Sequence, residues 1–370
     1  MNRRTFLQCG LATAWGAQVN SVIEPHDKLD VAADVLTRAV AAGQVAAAVL
    51  YVRHGNGVFA RPFGTAKSVD ELFLLGSISK TMTAAALLTL YDQGSFQLDD
   101  PVRKFLPEFT GAGRDRITVR QLLTHVSGLP DQLPENQSLR KRHAPLADFV
   151  AGAIRTPLGF EPGSRYEYSS MALLLAAEIA QRISGSAFLT FIEDAVFRPL
   201  EMKHSALGLG RFPLEAMMRC QAENAAPESG AGDPTARDWD WNSPYWRGLG
   251  SPWGGVHASA PDVARFLAEF LNRQGKAVRP DTAQLMRRNH NPSRLTPRGL
   301  GFAIGSGAGS PGCSEATFGH GGSTGTLAWA DPRTETICVV LTTLPGGGGH
   351  PHPRTLVSDR VAEAVSWTRT

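Results

Sequence analysis

Apolar residues recur at helical spacing from Leu29 to Ala42, interleaved with charged ones, and Gly43 supplies a helix end. Val45 to Val52 is a continuous apolar run, His54-Gly55-Asn56-Gly57 is turn chemistry, and Val58 to Phe63 resumes the run. That segment predicts a β-hairpin. Ser77 to Tyr91 reads as a strong helix, apolar at Met82, Ala85, Leu88 and Leu90 and ending near Gly94. Thr118-Val119-Arg120-Gln121 is a capping-box pattern that opens a short helix. From about 111 to 205 the chain reads as mainly helical, most clearly from Met171 to Ile183. Ser259-Ala260-Pro261-Asp262 opens another helix, through Leu271. The final third turns to strands, at Leu300 to Ser306, Gly325 to Ala330 and Thr336 to Thr343, before a closing helix from Leu356 to Trp367. No internal repeat is visible, and Pro345 to Pro353, with four consecutive glycines, reads as a flexible loop.

Strands at both ends with helices between predict an α+β fold. The two ends pair in one antiparallel sheet flanked by the terminal helices, and an all-helical domain is inserted between them. The boundaries are 23–110 and 250–370 for the two parts of the sheet domain and 111–249 for the insertion. Composition narrows the function classes. With 42% apolar and 19% charged residues the chain is globular, which excludes wholesale disorder. A length of 370 residues buries a sizeable core without staples. The 38 glycines and 24 prolines favour a loop-rich enzyme over a helical bundle. Net charge is +3, from 37 minus 34, so no basic excess supports nucleic-acid binding.

The N-terminus reads as targeting rather than fold. Arg3-Arg4 is followed by Thr5-Phe6-Leu7 and a weakly hydrophobic stretch from Cys9 to Ala17. The pattern resembles a twin-arginine export signal over about residues 1–22, with Ala12-Thr13-Ala14 as a weak cleavage site. It predicts an exported, periplasmic or envelope protein; a frayed basic terminus is the plainer alternative. Nothing else approaches the ~18 apolar residues of a membrane span. Cys9, Cys220, Cys313 and Cys338 show no metal spacing and predict no disulfide framework.

Ser77-Ile78-Ser79-Lys80 is an S-x-x-K. At i and i+3 on a helix the two side chains share a face. A lysine there can take or polarise the serine proton if burial or neighbouring cations lower its pKa. A serine at a helix start also meets outward N–H groups that favour developing negative charge. Ser138-Leu139-Arg140-Lys141 repeats the spacing, but it runs into Lys141-Arg142-His143, which reads as a solvated charge run. Gly321-Gly322-Ser323-Thr324-Gly325 has the G-x-S-x-G form, yet that elbow needs a helix straight after the serine, and Thr326 to Ala330 reads as a strand. His350-Pro351-His352 lacks a third ligand and reads as a solvated loop, so no metal or other cofactor is expected. Trp239, Trp241, Tyr245 and Trp246 either wall a pocket or cap the helical core; both readings stand.

Several motifs together resemble the serine β-lactamase-related hydrolases, the branch of the penicillin-recognising enzymes that holds class C β-lactamases, D-Ala-D-Ala carboxypeptidases and esterases. They begin with Gly76-Ser77-Ile78-Ser79-Lys80, Leu98-Asp99-Asp100-Pro101-Val102 and the run from Ile117 through Thr124-His125-Val126-Ser127-Gly128 to Pro130. Glu161-Pro162-Gly163-Ser164 with Tyr166-Glu167-Tyr168-Ser169-Ser170, Gly254-Gly255-Val256-His257-Ala258-Ser259 and Gly319-His320-Gly321-Gly322-Ser323-Thr324-Gly325 continue it. The resemblance spans about residues 25 to 365 and implies the β-lactamase/transpeptidase-like fold.

It also implies roles. Ser77 is the acylated nucleophile, Lys80 its activator, and Tyr168 the phenol that shuttles protons; either Lys80 or Tyr168 is the base. The N–H groups of Ser77 and Ser323 form the oxyanion hole. His320-Gly321-Gly322 replaces the lysine-threonine-glycine strand against substrate, with glycines that let the backbone come close. The sequence departs from the pattern twice. Ser170 stands where Tyr-x-Asn has asparagine, and His320, mostly neutral near pH 7, stands where the strand has lysine. Both fit an esterase or D-peptidase better than a β-lactamase. The plainer readings are a core role for Tyr168, with Tyr166 as its rival, a structural helix end for His125, turn and cap roles for Asp99 and Asp100, and strand bracing for His320. The resemblance thus implies a serine hydrolase of small esters or of D-amino-acid peptides and amides. The alternative is a catalytically silent homologue that binds a peptidoglycan-like or other small ligand. The oligomeric state is not indicated.

Overall fold

A computed structural model describes residues 25–347 and 351–366; the twin-arginine stretch, Cys9 and His350 lie outside them. α1 (Pro25–Ala41) leads into the hairpin β1 (Ala47–His54) and β2 (Gly57–Gly64), where the hydrophobic pattern places them. β3 (Phe73–Leu74) precedes a 3-10 turn, Gly76–Ile78, and α2 (Ser79–Asp92). The middle of the chain holds α3 (Val119–Leu123), α4 (Asn136–Lys141), α5 (Leu146–Arg155), α6 (Ser170–Ser184) and α7 (Phe188–Ile192), then β4 (Ser205–Leu207) and α8 (Pro244–Leu249). β5 (Val256–Ala258), α9 (Ala260–Asn272), α10 (Pro280–Met286), β6 (Ala303–Ile304), β7 (Phe318–Gly322), β8 (Thr326–Asp331), β9 (Thr336–Thr342) and α11 (Pro353–Ser366) complete it.

The large sheet runs β2-β1-β9-β8-β7-β6 with every pair antiparallel. The two chain ends therefore pair as expected, at the sheet centre, with Ala48 opposite Thr342 and Val52 opposite Cys338. Ala48, Leu50 and Val52 pack with α1 and α11, while Ala47 and Val49 face the main core. Burial on both faces is why β1 reads as a continuous apolar run rather than an alternation. The strand expected over 300–306 contracts to Ala303–Ile304, because Gly301 at φ +82° and Gly305 at φ +60° bend the chain on either side.

The stretch 111–249 is not all-helical. β4 lies within it and joins β3 and β5 in a small sheet ordered β3-β5-β4, and short 3-10 turns fill much of 214–238. These strands are too short to carry a period. Nor do the helices have a core of their own. One cluster runs from Val49 and Leu341 of the sheet through Met82 of α2 to Phe149 of α5 and Leu174 of α6. The capping box at Thr118 is complete, with Thr118 Oγ1 accepting from Gln121 N at 3.3 Å and Gln121 Oε1 accepting from Thr118 N at 3.1 Å. Among the described residues no single helix is long and apolar enough to cross a membrane.

Candidate active site

α2 begins two residues after Ser77, so the serine sits in the preceding 3-10 turn rather than in the α-helix. In 3-10 geometry side chains at i and i+3 eclipse, and Lys80 Nζ donates to Ser77 Oγ at 3.0 Å. Gly76 holds φ +56°, and a Cβ there would fall 2.9 Å from Thr324 Oγ1 and 3.1 Å from Ser323 N. The turn and the end of β7 are thus pressed together. Thr324 and Thr326 fasten them, donating their hydroxyls at 2.6 Å to the carbonyls of Leu74 and Leu75. Two segments far apart in sequence, one carrying Ser77 and the other Ser323, become one rigid unit.

Lys80 is fully buried and gives a second hydrogen bond, to the Trp253 carbonyl at 2.8 Å. No carboxylate pairs with it among the described residues. Burial drives its pKa from the usual 10.5 to about 7; the pull of Asp131 upward is countered by the nearby Arg298 charge. The Tyr168 phenol moves the other way. Burial raises its pKa, and the Ser77 hydroxyl and Arg298 only partly offset that. Its ring lies 4.9 Å from Lys80 Nζ and 4.6 Å from the His125 ring. Its buried hydroxyl makes no full hydrogen bond: Ser77 is near enough to lower the phenol's pKa without meeting bonding geometry. Tyr166, the rival tyrosine, is no part of the cleft wall.

His125 follows the short α3 at φ +60°, fully buried. Its Nδ1 accepts from Ser169 N at 3.1 Å, which leaves the ring proton on Nε2. Its part is to brace Tyr168 and the start of α6. Arg298 was not singled out by the sequence: it sits in a loop, where no period marks it. It donates Nη2 to His320 Nε2 at 2.6 Å, so His320 keeps its proton on Nδ1, directed at the Gly321 carbonyl at 2.6 Å. Burial, with Arg298 and Lys80 beside it, holds the His320 pKa well below its usual value, so the imidazole is neutral.

The strand departs from its expected role. Ser323 and Thr324 line the cleft, but His320, Gly321 and Gly322 do not. His320 lies a layer behind, against Arg298 and 5.9 Å from the Tyr168 ring. Gly322 is needed for packing rather than for substrate approach, since a Cβ there would fall 2.1 Å from the Leu75 carbonyl oxygen. Ser170 is tied down as well. Its N–H and hydroxyl both reach Asp131 Oδ1, at 2.9 and 2.6 Å, and the carboxylate sits at the start of α6, where the helix dipole favours it.

The cleft has a volume of about 470 Å³. Ser77, Lys80, Tyr168 and Ser170 line its floor, and Trp241, Trp246 and Trp253 line its wall. The tryptophan cluster therefore divides: Trp239 is buried away from the cleft, and Tyr245 donates its hydroxyl to the Ala144 carbonyl at 2.9 Å. Arg140 also lines the cleft, although its charged sequence context reads as solvated. Cys220, Cys313 and Cys338 are free thiols. Among the described residues no three His, Cys, Asp or Glu side chains are grouped to hold a metal.

The Beta-lactamase family model matches residues 32–362. Esterase EstB of Burkholderia gladioli is 28% identical over 296 residues, 70% of this chain and 74% of that protein. Protein flp of Staphylococcus aureus (strain MW2) is 28% identical over 170 residues, 43% of this chain, and the match spans only 34% of that protein's length. Among solved structures, D-amino acid amidase from Ochrobactrum anthropi SV3 aligns with a TM-score of 0.73 at 23% identity, over 92% of this chain and 100% of that one. That last likeness is one of fold, the β-lactamase/transpeptidase-like arrangement of helices around an antiparallel sheet.

Proposed function

The chain belongs to the beta-lactamase family, and from that premise we propose that it is a serine hydrolase working through an acyl-enzyme on Ser77. Its substrates are small esters or D-amino-acid peptides and amides. The observation that carries the reading is the Lys80 amine, 3.0 Å from the Ser77 hydroxyl and with a pKa of about 7. Near neutrality half of such amines are free to accept a proton, the optimum for a general base. Ser77 Oγ attacks the substrate carbonyl as Lys80 takes its proton. The N–H groups of Ser77 and Ser323 hold the oxyanion. As the tetrahedral intermediate collapses, the proton returns from Lys80 through the Tyr168 hydroxyl to the leaving group. Water then attacks the ester by the same relay and frees the acid and Ser77. A phenol whose pKa is raised is a proton relay and acid, which favours Lys80 as the base.

The test is intact-mass spectrometry after incubation with a fluorophosphonate. A single adduct on the wild type that disappears in Ser77→Ala is the expected result. Folded wild type without an adduct would instead identify a silent ligand-binding homologue. The Arg3-Arg4 pattern supports export as a separate proposal. It is tested by cell fractionation of the full chain beside a variant with both arginines changed to lysine.

A further inference from the structure

Two arginines line the cleft, Arg140 and Arg354. Arg247 gives its fork to the Trp241 carbonyl, the Met218 carbonyl and Asn242 Oδ1 at 2.8 to 3.0 Å. Arg354 gives Nη1 to the Gly322 and Thr326 carbonyls; Arg114, away from the cleft, bonds the carbonyls of Gly111, Arg155 and Thr156 while its Nε is buried without a partner. Arg298 has its bond to His320 and, like Arg140, a buried Nε without a partner, but it lies outside the cleft wall. Arg140, on α4, is 3% exposed and makes one hydrogen bond, from Nη1 to the Glu228 carbonyl at 3.2 Å. Its Nε is buried without a partner, and no carboxylate lies within ion-pair distance of it among the described residues. The carboxylates of Glu228 and Asp240 are close enough to act on its charge but do not bond its fork. Its guanidinium rests 3.7 Å above the Trp246 ring.

A buried guanidinium with idle donors is costly unless something pairs with it. Stacking on an indole fixes its plane and leaves its edge free, the edge that meets a carboxylate through two parallel N–H···O bonds. We propose that Arg140 receives a carboxylate of the substrate, so that the compounds hydrolysed at Ser77 are esters or amides bearing a carboxylate remote from the scissile bond. The inference rests on the hydrolase reading above and deepens it. It also puts the anion on the helical wall, away from His320, whose neutral ring cannot hold one.

The experiment compares kcat/KM for p-nitrophenyl acetate, mono-p-nitrophenyl glutarate and 3-carboxy-4-nitrophenyl acetate. The first is neutral; the others carry a carboxylate on the acyl and leaving-group sides. Wild type should prefer one of the anionic esters. In Arg140→Met the ratio of that ester to the neutral one should fall roughly 10- to 100-fold, the range of a charge-assisted hydrogen bond. Arg140→Lys, which keeps the charge but not the fork, should fall between. A ratio unchanged in both variants, whatever happens to absolute rates, would make Arg140 a structural residue and overturn the proposal. Tryptophan fluorescence titration with glutarate against glutaramide separates the two readings, because Trp241 and Trp246 line the cleft. Glutarate binding that is lost in Arg140→Met without any ester hydrolysis would sink the hydrolase reading and leave the anion site standing. No preference for glutarate would sink the anion site.

Discussion

Replacing Lys80 by methionine should abolish labelling of Ser77 and yet make the protein more stable. An ammonium whose pKa falls from 10.5 to about 7 on folding costs the folded chain about 5 kcal/mol at any pH below 7, each tenfold in proton affinity being worth about 1.4 kcal/mol. Between those two values the unfolded chain holds the proton and the folded chain does not, so wild-type stability rises with pH across that window. Methionine removes the cost and keeps the volume of the stem. It also forfeits the hydrogen bonds to Trp253 and Ser77, roughly 1 kcal/mol each. The net expectation is a gain of about 2–3 kcal/mol at pH 7, shrinking with pH and reversing at about pH 9, where the remaining charge cost falls below the two lost hydrogen bonds. Urea unfolding of both proteins at pH 7, 8.5 and 10 reads this directly. A variant less stable than wild type at pH 7, or a difference that stays constant across the three pH values, would refute the reasoning.

The rate of fluorophosphonate labelling should climb through a limb near pH 7 as Lys80 loses its proton. In Lys80→Arg, which stays charged, the limb should vanish and the rate fall roughly 10²- to 10⁴-fold. His125→Ala removes the ring against Tyr168 and leaves the Ser169 N–H without its acceptor. It should cost about 2–4 kcal/mol by denaturant titration and, well below the melting point, lower kcat more than it changes KM. Gly322→Ala drives a methyl toward the Leu75 carbonyl and should cost roughly 1–3 kcal/mol of stability together with slower labelling. Gly321→Ala, whose nearest neighbour would be 3.8 Å away, should shift the melting temperature little.

The pairing of the chain ends was legible because β1 and β9 are long apolar runs bounded by turn residues. The Ser77–Lys80 contact was legible from its spacing, and the motifs around it separated it from the copy at Ser138. What the sequence hid were residues whose role depends on contacts between distant segments. Asp131 follows a loop motif, and only the fold brings it to Ser170. Arg298 becomes a neighbour of His320 through a bend that carries no period. Arg140 looks solvated among charges, and α4 turns it inward onto Trp246. The strand glycines carried the right signal of close approach with the wrong object, since Gly322 is pressed against the protein's own backbone.

The central place of β9 bears on when the molecule can become active during synthesis. Ala47 and Thr343, 296 residues apart, are joined across the middle of the sheet. β9 also sits beside β8, which continues from the turn that carries Ser323. A ribosome must therefore release almost the whole chain before β1, already paired with β2, finds β9, and closing so long a loop is slow. Until then the turn carrying Ser323 is not fixed opposite Ser77, so a chain cut before β9 should not react with a serine probe. Reactivity toward a serine probe would consequently report completed folding in an all-or-none way. Pulse-labelling during translation could time the last step of assembly from the appearance of the adduct.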